Sequence, residues 1–249
     1  MSLFSKLFGS KTNESSVKDF SWLKTDMHSH LIPGIDDGVK TLEESIAIIE
    51  QLAALGYKKI ITSPHVMLDG YVNTPEIILK GRDDIRNELS KRNIDIAFDA
   101  TAEYYLDEGI FQKIKNKELI TFGDKHVLVE LSYYTKPMNM TKLFFELRSA
   151  GYKVILAHPE RYPFFYQSSL EDYKELRDSG ILFQVNLGSL IGLYGKNAQS
   201  YAEKLIDNNM IEFAGTDIHN MRHTEIIKSV FQSPYMDKLV QSNLQNKSI

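Results

Sequence analysis

Short apolar runs rich in β-forming residues alternate with amphipathic helical segments about seven times along this chain. After a weak first strand at residues 20–27, the predicted strands are 58–62, 94–98, 127–131, 154–157, 182–185 and 211–214. Parallel strands need long crossover connections, which helices supply, so this alternation predicts a parallel α/β sheet. A length of 249 residues suits one α/β barrel or two smaller domains and does not decide between them.

Helix-end signals support the same alternation. Thr41 and Glu44 have the spacing of a capping box, in which the hydroxyl accepts from the third amide and the carboxylate reaches back. Pro75 is a natural first-turn residue and opens a second predicted helix, which runs towards Arg92. Three further helices are predicted at residues 138–150, 169–179 and 198–208.

Side chains with the chemistry of metal ligands follow the predicted strands. They are His28, His30, Asp37, His65, Glu103, Glu130, His158, Asp217 and His219. The carboxyl ends of parallel strands form the edge on which active sites of such folds are built. Side chains two residues apart on a strand point the same way, so His28 pairs with His30 and Asp217 with His219. These two pairs come from opposite ends of the chain and converge only if the sheet curls. We therefore expect a distorted barrel, with an open doubly wound sheet as the competing fold.

The donor set combines imidazoles and carboxylates without sulfur, since the chain has no cysteine. This combination suits intermediate divalent ions such as Mn²⁺, Fe²⁺ or Zn²⁺, and not Ca²⁺ alone. Nine side chains exceed what one ion needs, so a cluster of two or three divalent ions is expected. Ions about 3.5–4 Å apart are used in phosphoester displacement. The lack of cysteine also excludes disulfides and every mechanism that uses a cysteine nucleophile.

Taken singly, several of these residues have an ordinary structural explanation. A lone histidine at a strand end, such as His65 or His158, is more often a core or capping residue than a ligand. Glu130 is harder to explain in this way, because burial of an unpaired carboxylate within the run VLVELS is costly. His126 precedes its strand and is expected on the surface. His223 is expected either to contact the ligand side chains without binding metal itself or to have no role.

Two arginines are candidate phosphate clamps. Arg161 and Arg222 follow His158 and His219 by three residues, in the same strand-to-helix loops. A guanidinium can hold two phosphate oxygens and stays charged, although solvated surface arginines are the ordinary alternative. With Asp217 and His219, they make up the candidate catalytic residues. Four tyrosines near the proposed ligands either line an aromatic pocket or simply pack in the core: Tyr104, Tyr105, Tyr133 and Tyr134.

Charge and hydropathy argue against two classes of partner. The formal net charge is −4 and the chain has no basic stripe, so a nucleic-acid partner is not expected. No stretch approaches the roughly 18 apolar residues of a membrane span. A cysteine-free chain is compatible with the cytoplasm, which is the expected location. Residues 1–20 are expected to be a flexible N-terminal segment, with an amphipathic contact around residues 3–8 as the alternative. Residues 21–249 are expected to form a single catalytic barrel.

Seven short strings of sequence, in order from about Asp26 to His219, resemble the polymerase-and-histidinol-phosphatase (PHP) superfamily. They are DMHSHLIPGIDDGVKTLEES, TSPHV, AEYY, VLVELS, AHPERY, QVNLGSL and GTDIHN. Within that superfamily, the chain is similar to manganese-dependent bacterial protein-tyrosine phosphatases of the CpsB/YwqE type, which are encoded with capsule and exopolysaccharide genes.

The resemblance implies a distorted (β/α)7 TIM-like barrel, the PHP fold. It also implies a trinuclear manganese site on the nine residues above, and it makes Arg161 a phosphate-binding residue. The second arginine of the family lies farther beyond the DxH motif than Arg222 does in this chain. The implied partner is a phosphotyrosine protein, namely a bacterial tyrosine autokinase that controls capsular and exopolysaccharide synthesis.

Three functions follow as hypotheses. The first is a phosphomonoesterase acting on phosphotyrosine, in which metal ions make water more acidic for in-line attack and Arg161 stabilises the phosphoryl oxygens. A phenolate leaving group, with a parent pKa of about 10, needs little protonation. The second keeps this chemistry but acts on histidinol phosphate, another small ester or a nucleic-acid end, the last of which the negative charge disfavours. The third is a non-catalytic regulatory barrel, which the complete ligand set disfavours.

Overall fold

A computed structural model of the protein describes residues 15–166 and 170–249. The strands are β1 (Thr25–Asp26), β2 (Lys59–Thr62), β3 (His65–Val66), β4 (Ala97–Ala100), β5 (Glu103–Tyr105), β6 (His126–Glu130), β7 (Lys153–Ala157), β8 (Leu182–Asn186) and β9 (Phe213–Gly215). The α-helices are α1 (Leu42–Ala54), α2 (Pro75–Lys91), α3 (Gly109–Asn116), α4 (Met140–Ser149), α5 (Glu171–Asp178), α6 (Lys196–Asp207), α7 (Met221–Lys228) and α8 (Tyr235–Gln241). Short 3-10 helices lie at Pro159–Arg161, Pro163–Phe165, Leu187–Ile191, Ser229–Gln232 and Gln245–Ser248.

The strands form two parallel sheets. One sheet has the order β1-β2-β4, and the other has the order β3-β5-β6-β7-β8-β9. Only Ser63 and Pro64 separate β2 from β3, and only Thr101 and Ala102 separate β4 from β5. Each of these two chain segments therefore contributes one strand to each of the two sheets. The predicted α/β class with parallel pairing is confirmed.

The segment after β1 makes backbone contacts on both of its sides. Ser29 forms a parallel bridge with Ile218, which lies beyond β9. In the same region, the amide of Asp217 donates to the carbonyl of His28 at 2.8 Å. On the other side, the amide of Ser63 donates to the carbonyl of Ser29 at 2.7 Å. This segment therefore connects the end of β9 with the segment between β2 and β3.

The residues predicted to begin helices do lie at helix starts in the structure. Thr41 caps α1 by accepting from the amide of Glu44 at 3.2 Å. The Glu44 carboxylate reaches back to the amide of Lys40 at 3.1 Å, one residue earlier than a standard capping box requires. Pro75 is the first residue of α2. The first residue of the helix predicted at 169–179 lies outside the described residues, and α5 covers Glu171–Asp178.

Local hydrogen bonding shortens the first strand to Thr25–Asp26, whereas the sequence predicts residues 20–27. The amides of Leu23 and Lys24 turn back to the carbonyl of Phe20, so this stretch forms a turn. Helices α3, α7 and α8 have only eight, eight and seven residues, and the sequence pattern does not predict them. Helices this short depend on tertiary packing more than on local propensity.

The folded part of the chain begins no later than residue 15, whereas the predicted boundary is residue 21. The hydroxyls of Ser15 and Ser16 donate to Asp237 Oδ1 at 3.0 and 2.6 Å. The buried ring of Phe20 stacks on Tyr57. The amphipathic contact predicted around residues 3–8 lies outside the described residues. Among the described helices, none is both long and apolar enough to cross a membrane.

Strand β6 of the six-stranded sheet has apolar side chains on both of its faces, as is usual for parallel strands. On β6, Val127 and Val129 belong to the main core, and Leu128 belongs to a second, smaller cluster. His126 also lies at this smaller cluster, and its side chain is buried against the edge of Phe213. The prediction that His126 is a surface residue is therefore wrong. The residues before β6 turn back through backbone hydrogen bonds with His126 and cover it.

Candidate metal centre

The structure brings all nine predicted ligands together at or just beyond the carboxyl ends of β1, β2, β4, β6, β7 and β9. Their ligand atoms form four overlapping groups, and within each group these atoms lie within 4.8 Å of one another. The groups are His30–Asp37–His65–His219, His28–His30–Glu103, His28–His158–Asp217 and His65–Glu103–Glu130. A cluster whose groups share members can hold more than one ion, with shared residues bridging them.

Glu103 is the central carboxylate of the cluster and is almost fully buried. Its Oε2 atom lies 3.2 Å from His28 Nε2, 3.2 Å from His65 Nδ1 and 3.5 Å from His30 Nε2. Its Oε1 atom lies 2.9 Å from His158 Nε2. Four imidazoles therefore surround one carboxylate. Such a position is suited to a residue that contacts two cations at once.

Asp217 is the second buried acid of the cluster, and its two oxygens face different surroundings. Oδ1 lies 3.4 Å from His28 Nε2 and 3.5 Å from His30 Nε2. Oδ2 accepts from Arg161 Nη1 at 2.9 Å and from Asn186 Nδ2 at 2.7 Å. One oxygen thus faces the imidazole cluster, while hydrogen bonds to neighbouring residues hold the other.

Several buried polar atoms in the cluster have no hydrogen-bond partner among the described residues. They are His28 Nε2, His30 Nε2, His65 Nδ1 and Glu103 Oε2. Each of the three ring nitrogens lies 3.2–3.5 Å from Glu103 Oε2. Unpaired buried polar atoms cost free energy, so native proteins rarely retain them without a function. Nitrogen and oxygen donors that converge in this way fit divalent cations of intermediate softness.

Hydrogen bonds to the opposite ring nitrogens fix the orientation of two of these imidazoles. His28 Nδ1 lies 2.8 Å from Gln184 Oε1, and His30 Nδ1 lies 2.8 Å from Asp36 Oδ2. Each bond leaves the Nε2 atom directed into the cluster, an arrangement typical of histidines that bind metals. No sequence pattern predicted a role for Gln184 or Asp36. For Asp36, the available signal was its place in the DDG sequence beside the predicted ligand Asp37.

Asp36 holds not only the His30 ring but also the loop after β1. Its Oδ2 also accepts from the amide of His65 at 3.1 Å, and its Oδ1 accepts from the amide of Gly38 at 2.9 Å. A Cβ atom at Gly38 would lie 2.2 Å from the carbonyl oxygen of His30, so this position requires glycine. In the DDG sequence, Asp36 therefore orients the His30 ring, Asp37 faces the pocket, and Gly38 permits the close approach of the His30 carbonyl.

We expect Asp36→Asn to weaken metal binding by about 10–100-fold, because the amide cannot replace the carboxylate in all three of its hydrogen bonds. Calorimetric titration of the metal-free protein with Mn²⁺ would measure this change. Asp69→Asn is the matched control, since Asp69 is an exposed aspartate on the loop after β3. Affinity in Asp36→Asn within threefold of that of the control would show that Asp36 does not orient His30.

The buried charges have the electrostatics of an ion-binding site. Burial alone would lower the pKa of His28, but the carboxylates of Glu103 and Asp217 raise it to about 9. Burial alone would raise the pKa of Asp217, but His28 and other nearby cations hold it well below its usual value. Burial and the nearby charge of Arg161 lower the pKa of His158 to about 4, so this imidazole is neutral at pH 7. The acids therefore attract positive charge, and a neutral His158 keeps a lone pair on one of its ring nitrogens.

The backbone is strained at two residues of the cluster. His158 has φ of +34° and Asp217 has φ of +54°, in the left-handed region that residues other than glycine rarely adopt. Such conformations cost about 1–3 kcal/mol each and occur most often at functional sites. The strain at these positions supports a functional role for both residues.

An open pocket of about 340 Å³ lies over the cluster. The residues that line it are Asp37, His65, Glu103, Glu130, Tyr133, His158, Arg161, Tyr194, Asp217, His219, Asn220 and His223. Arg161 reaches this pocket with 21% of its side chain exposed. Arg222 does not reach it, because its exposed side chain projects from the first turn of α7. The described conformation therefore gives no support to a phosphate contact by Arg222.

The four tyrosines singled out in the sequence have different surroundings. Tyr133 lines the pocket, and its hydroxyl lies 3.4 Å from both ring nitrogens of His158. Tyr134 is almost fully exposed. Tyr104 is buried, and its hydroxyl accepts from the amide of Ile120. The pocket's second tyrosine is Tyr194, which follows the 3-10 helix after β8 and which no sequence motif marks.

One protein family matches almost the whole length of the chain. The family described as "Capsular polysaccharide synthesis, CpsB/CapC" matches residues 24–246. The putative tyrosine-protein phosphatase CapC of Staphylococcus aureus is 29% identical over 208 residues, which are 83% of this chain and 81% of that protein. The tyrosine-protein phosphatase YwqE of Bacillus subtilis is 28% identical over 222 residues, which are 85% of this chain and 87% of that protein.

Solved structures show the same likeness. One similar chain comes from the crystal structures of YwqE from Bacillus subtilis and CpsB from Streptococcus pneumoniae, described as metal-dependent tyrosine phosphatases. It has a TM-score of 0.75 and 28% identity, and the match covers 88% of this chain and 95% of that chain. The lactonase Lmo2620 from Listeria monocytogenes, at a TM-score of 0.50 and 13% identity, covers 90% of this chain and 86% of its own. The likeness to the lactonase concerns the fold alone.

Proposed function

Because this chain belongs to the CpsB/CapC family of capsular polysaccharide synthesis, we propose that it is a metal-dependent phosphatase that hydrolyses phosphotyrosine on proteins. The observation that carries this proposal is the cluster of buried, unpartnered imidazole and carboxylate atoms beneath an open pocket that contains Arg161. The names of the relatives supply the substrate class. The cluster supplies the chemistry that a phosphatase without cysteine requires.

The proposed ligands are the nine cluster residues, and the proposed occupants are two or three divalent ions. Manganese is our first choice, with iron, zinc or magnesium as alternatives, since the donor set of imidazoles and carboxylates suits ions of this kind. Such ions, when bound, supply Lewis-acid stabilisation of phosphoryl oxygens and make water a stronger nucleophile at neutral pH. Glu103 and Asp217, each of which lies near both His28 and His30, would be among the residues that hold these ions.

Among the remaining pocket residues, Arg161 is the proposed phosphate-binding group. Its guanidinium keeps its charge at every relevant pH and can donate two parallel hydrogen bonds to phosphate oxygens. Donors fixed beside the phosphoryl group stabilise the charge that develops there during the reaction. The rings of Tyr133 and Tyr194 provide apolar pocket walls beside the position of a substrate phenol ring. For Arg222, a phosphate contact is supported only by its spacing of three residues from His219 in the sequence.

We further propose that the two sheets together form one distorted, closed (β/α)7 barrel. Counting β2 with β3 and β4 with β5 as single interrupted strands gives seven strands. The parallel bridge between Ser29 and Ile218 supports closure between the first strand and the last. On this proposal, residues 21–249 form a single catalytic unit, against which residues 15–20 pack.

The exposed apolar side chains support a polypeptide substrate over a small phosphate ester. Among the described residues, every large apolar side chain that is exposed lies in one of two segments, residues 68–77 and 134–145. They are Leu68, Val72, Ile77, Tyr134, Met138 and Phe145. These segments follow β3 and β6, which carry the pocket residues His65 and Glu130. Exposed apolar side chains are typical of surfaces that bind other proteins, so these two segments are the proposed contacts of a polypeptide substrate.

The proposed physiological partner is a bacterial tyrosine autokinase that controls capsular or exopolysaccharide synthesis, and the proposed location is the cytoplasm. The family description, which concerns capsular polysaccharide synthesis, supports this partner. The absence of cysteine from the sequence is compatible with a reducing compartment.

A metal-resolved phosphatase assay tests the proposed function. With Mn²⁺, the protein should hydrolyse p-nitrophenyl phosphate and a phosphotyrosine peptide, and complete chelation should remove both activities. The alternative substrate is histidinol phosphate, for which we expect kcat/KM at least about tenfold below that for the peptide. Activity that survives complete removal of metal would contradict the proposal. A metal-loaded protein without turnover would favour a regulatory barrel.

A further inference from the structure

The guanidinium of Arg161 rests against aromatic rings in the pocket. Its central carbon lies 4.0 Å from the ring centroid of Tyr194 and 4.8 Å from that of Tyr133. A guanidinium within about 6 Å of an aromatic face is attracted by the ring's electron density. Both rings therefore restrict where the charged end of Arg161 lies, and Tyr194 is the closer of the two.

Tyr194 contacts the same carboxylate that Arg161 contacts. Its hydroxyl donates to Asp217 Oδ2 at 3.2 Å, and Arg161 Nη1 donates to that atom at 2.9 Å. The hydroxyl of Tyr133, in contrast, lies near His158. Only Tyr194, of the two tyrosines, therefore combines a ring contact with Arg161 and a hydrogen bond to the carboxylate that pairs with Arg161.

The loop that carries Tyr194 is fastened to the residue before Arg161. Glu160 is fully buried, and its Oε1 accepts from the amide of Asn186 at 3.0 Å and from the hydroxyl of Ser189 at 2.6 Å. Both donors belong to the chain that leads from β8 into the loop of Tyr194. Arg161 and Tyr194 are thus parts of one connected structure.

We propose that Tyr194 is a positioning residue, which holds the Arg161 guanidinium in the pocket in the orientation that receives phosphate. This inference rests on the proposed function for its substrate class. Arginine side chains have many rotamers, and fixing one in advance removes an ordering cost that phosphate binding would otherwise bear. The ring of Tyr194 restricts the guanidinium through its face, and its hydroxyl keeps the ring against Asp217.

The test compares Tyr194→Leu, which removes the aromatic face, with Tyr194→Phe, which keeps the face and loses only the hydroxyl. In the manganese-loaded protein, we expect Tyr194→Leu to weaken orthophosphate binding and to lower kcat for p-nitrophenyl phosphate, each by about tenfold. Tyr194→Phe should retain most of both. Metal content should equal that of the wild type in both variants.

The matched control is Tyr235→Leu. Tyr235 has the same two contacts far from the pocket, since Lys238 lies 4.0 Å from its ring centroid and its hydroxyl donates to Asp207 at 3.0 Å. This control should leave phosphate binding unchanged. Thermal unfolding of all variants would show whether any loss of binding reflects loss of fold.

A double-mutant cycle separates positioning from a general structural effect. In an Arg161→Ala background, Tyr194→Leu should cause no further loss of orthophosphate binding, because the group that it positions is absent. Additive losses would overturn the proposal, and so would a loss in Tyr194→Phe equal to that in Tyr194→Leu. Orthophosphate binding reports on Tyr194 even if the protein proves not to hydrolyse phosphotyrosine, so failure of this inference is distinguishable from failure of the proposed function.

Discussion

Replacement of His30 by alanine is expected to remove metal from the cluster and to lower kcat by about 10³-fold, equivalent to about 4 kcal/mol. The Nε2 atom of His30 faces both Glu103 and Asp217, at 3.5 Å from each. Without it, the two buried acids lose a neighbouring donor, and the carboxylate of Asp36 loses its imidazole partner. Elemental analysis after dialysis against dilute Mn²⁺, followed by turnover of p-nitrophenyl phosphate, would measure both effects.

His126→Ala is the matched control for this variant. His126 is also buried, and its ring nitrogens have no hydrogen-bond partner among the described residues, but it lies at the start of β6, at the opposite end from the pocket. We expect this control to keep its metal and its turnover, whatever its melting temperature. A full complement of metal in His30→Ala would contradict the proposed role of His30.

The convergence of the nine candidate ligands was predictable because it depends only on strand order and on the end of each strand near which the polar residue lies. Parallel strands present their carboxyl ends at one edge, so residues as distant in sequence as His28 and Asp217 come together once the strands pair. Strand interruptions were not predictable in the same way. The break between β4 and β5 places Glu103 at the start of a new strand, and no periodicity in the sequence marks this.

The residues that orient the cluster imidazoles could not be predicted, because their roles depend on side-chain directions. Asp36 and Gln184 become partners of His30 and His28 only through the folded positions of the loop after β1 and of β8. Tyr194 comes from a loop between two helices, without a motif to distinguish it from a packed tyrosine. The pattern identifies the atoms that can bind cations, whereas the hydrogen bonds that aim those atoms need the tertiary structure.

The two arginines show why equal spacing does not give equal positions. Both follow a cluster histidine by three residues. His158 itself is in the left-handed conformation, and the 3-10 turn Pro159–Arg161 follows it directly and returns Arg161 to the pocket. After His219, Asn220 instead caps α7, and Arg222 lies on the exposed face of its first turn. The local backbone therefore separates two residues that the sequence treats alike.

Arg161→Ala is expected to lower kcat by about 10²–10³-fold while metal content stays close to that of the wild type. The lost group would contact phosphate oxygens, so the loss concerns stabilisation of the reacting group. Arg161 does pair with Asp217 Oδ2, but that oxygen keeps its hydrogen bonds from Asn186 and Tyr194. The other oxygen of Asp217 continues to face the imidazoles, so the cluster should still bind its ions.

Two further variants and one metal measurement make this prediction specific. Arg161→Lys keeps the charge but loses the planar pair of donors, so its kcat should fall between those of wild type and Arg161→Ala. Arg222→Ala should change kcat by less than about threefold, because an exposed side chain outside the pocket contributes little to the charge around the phosphoryl group. If Arg161→Ala lost its metal, its lower kcat would reflect collapse of the cluster, and the role of Arg161 in phosphate binding would have to be abandoned.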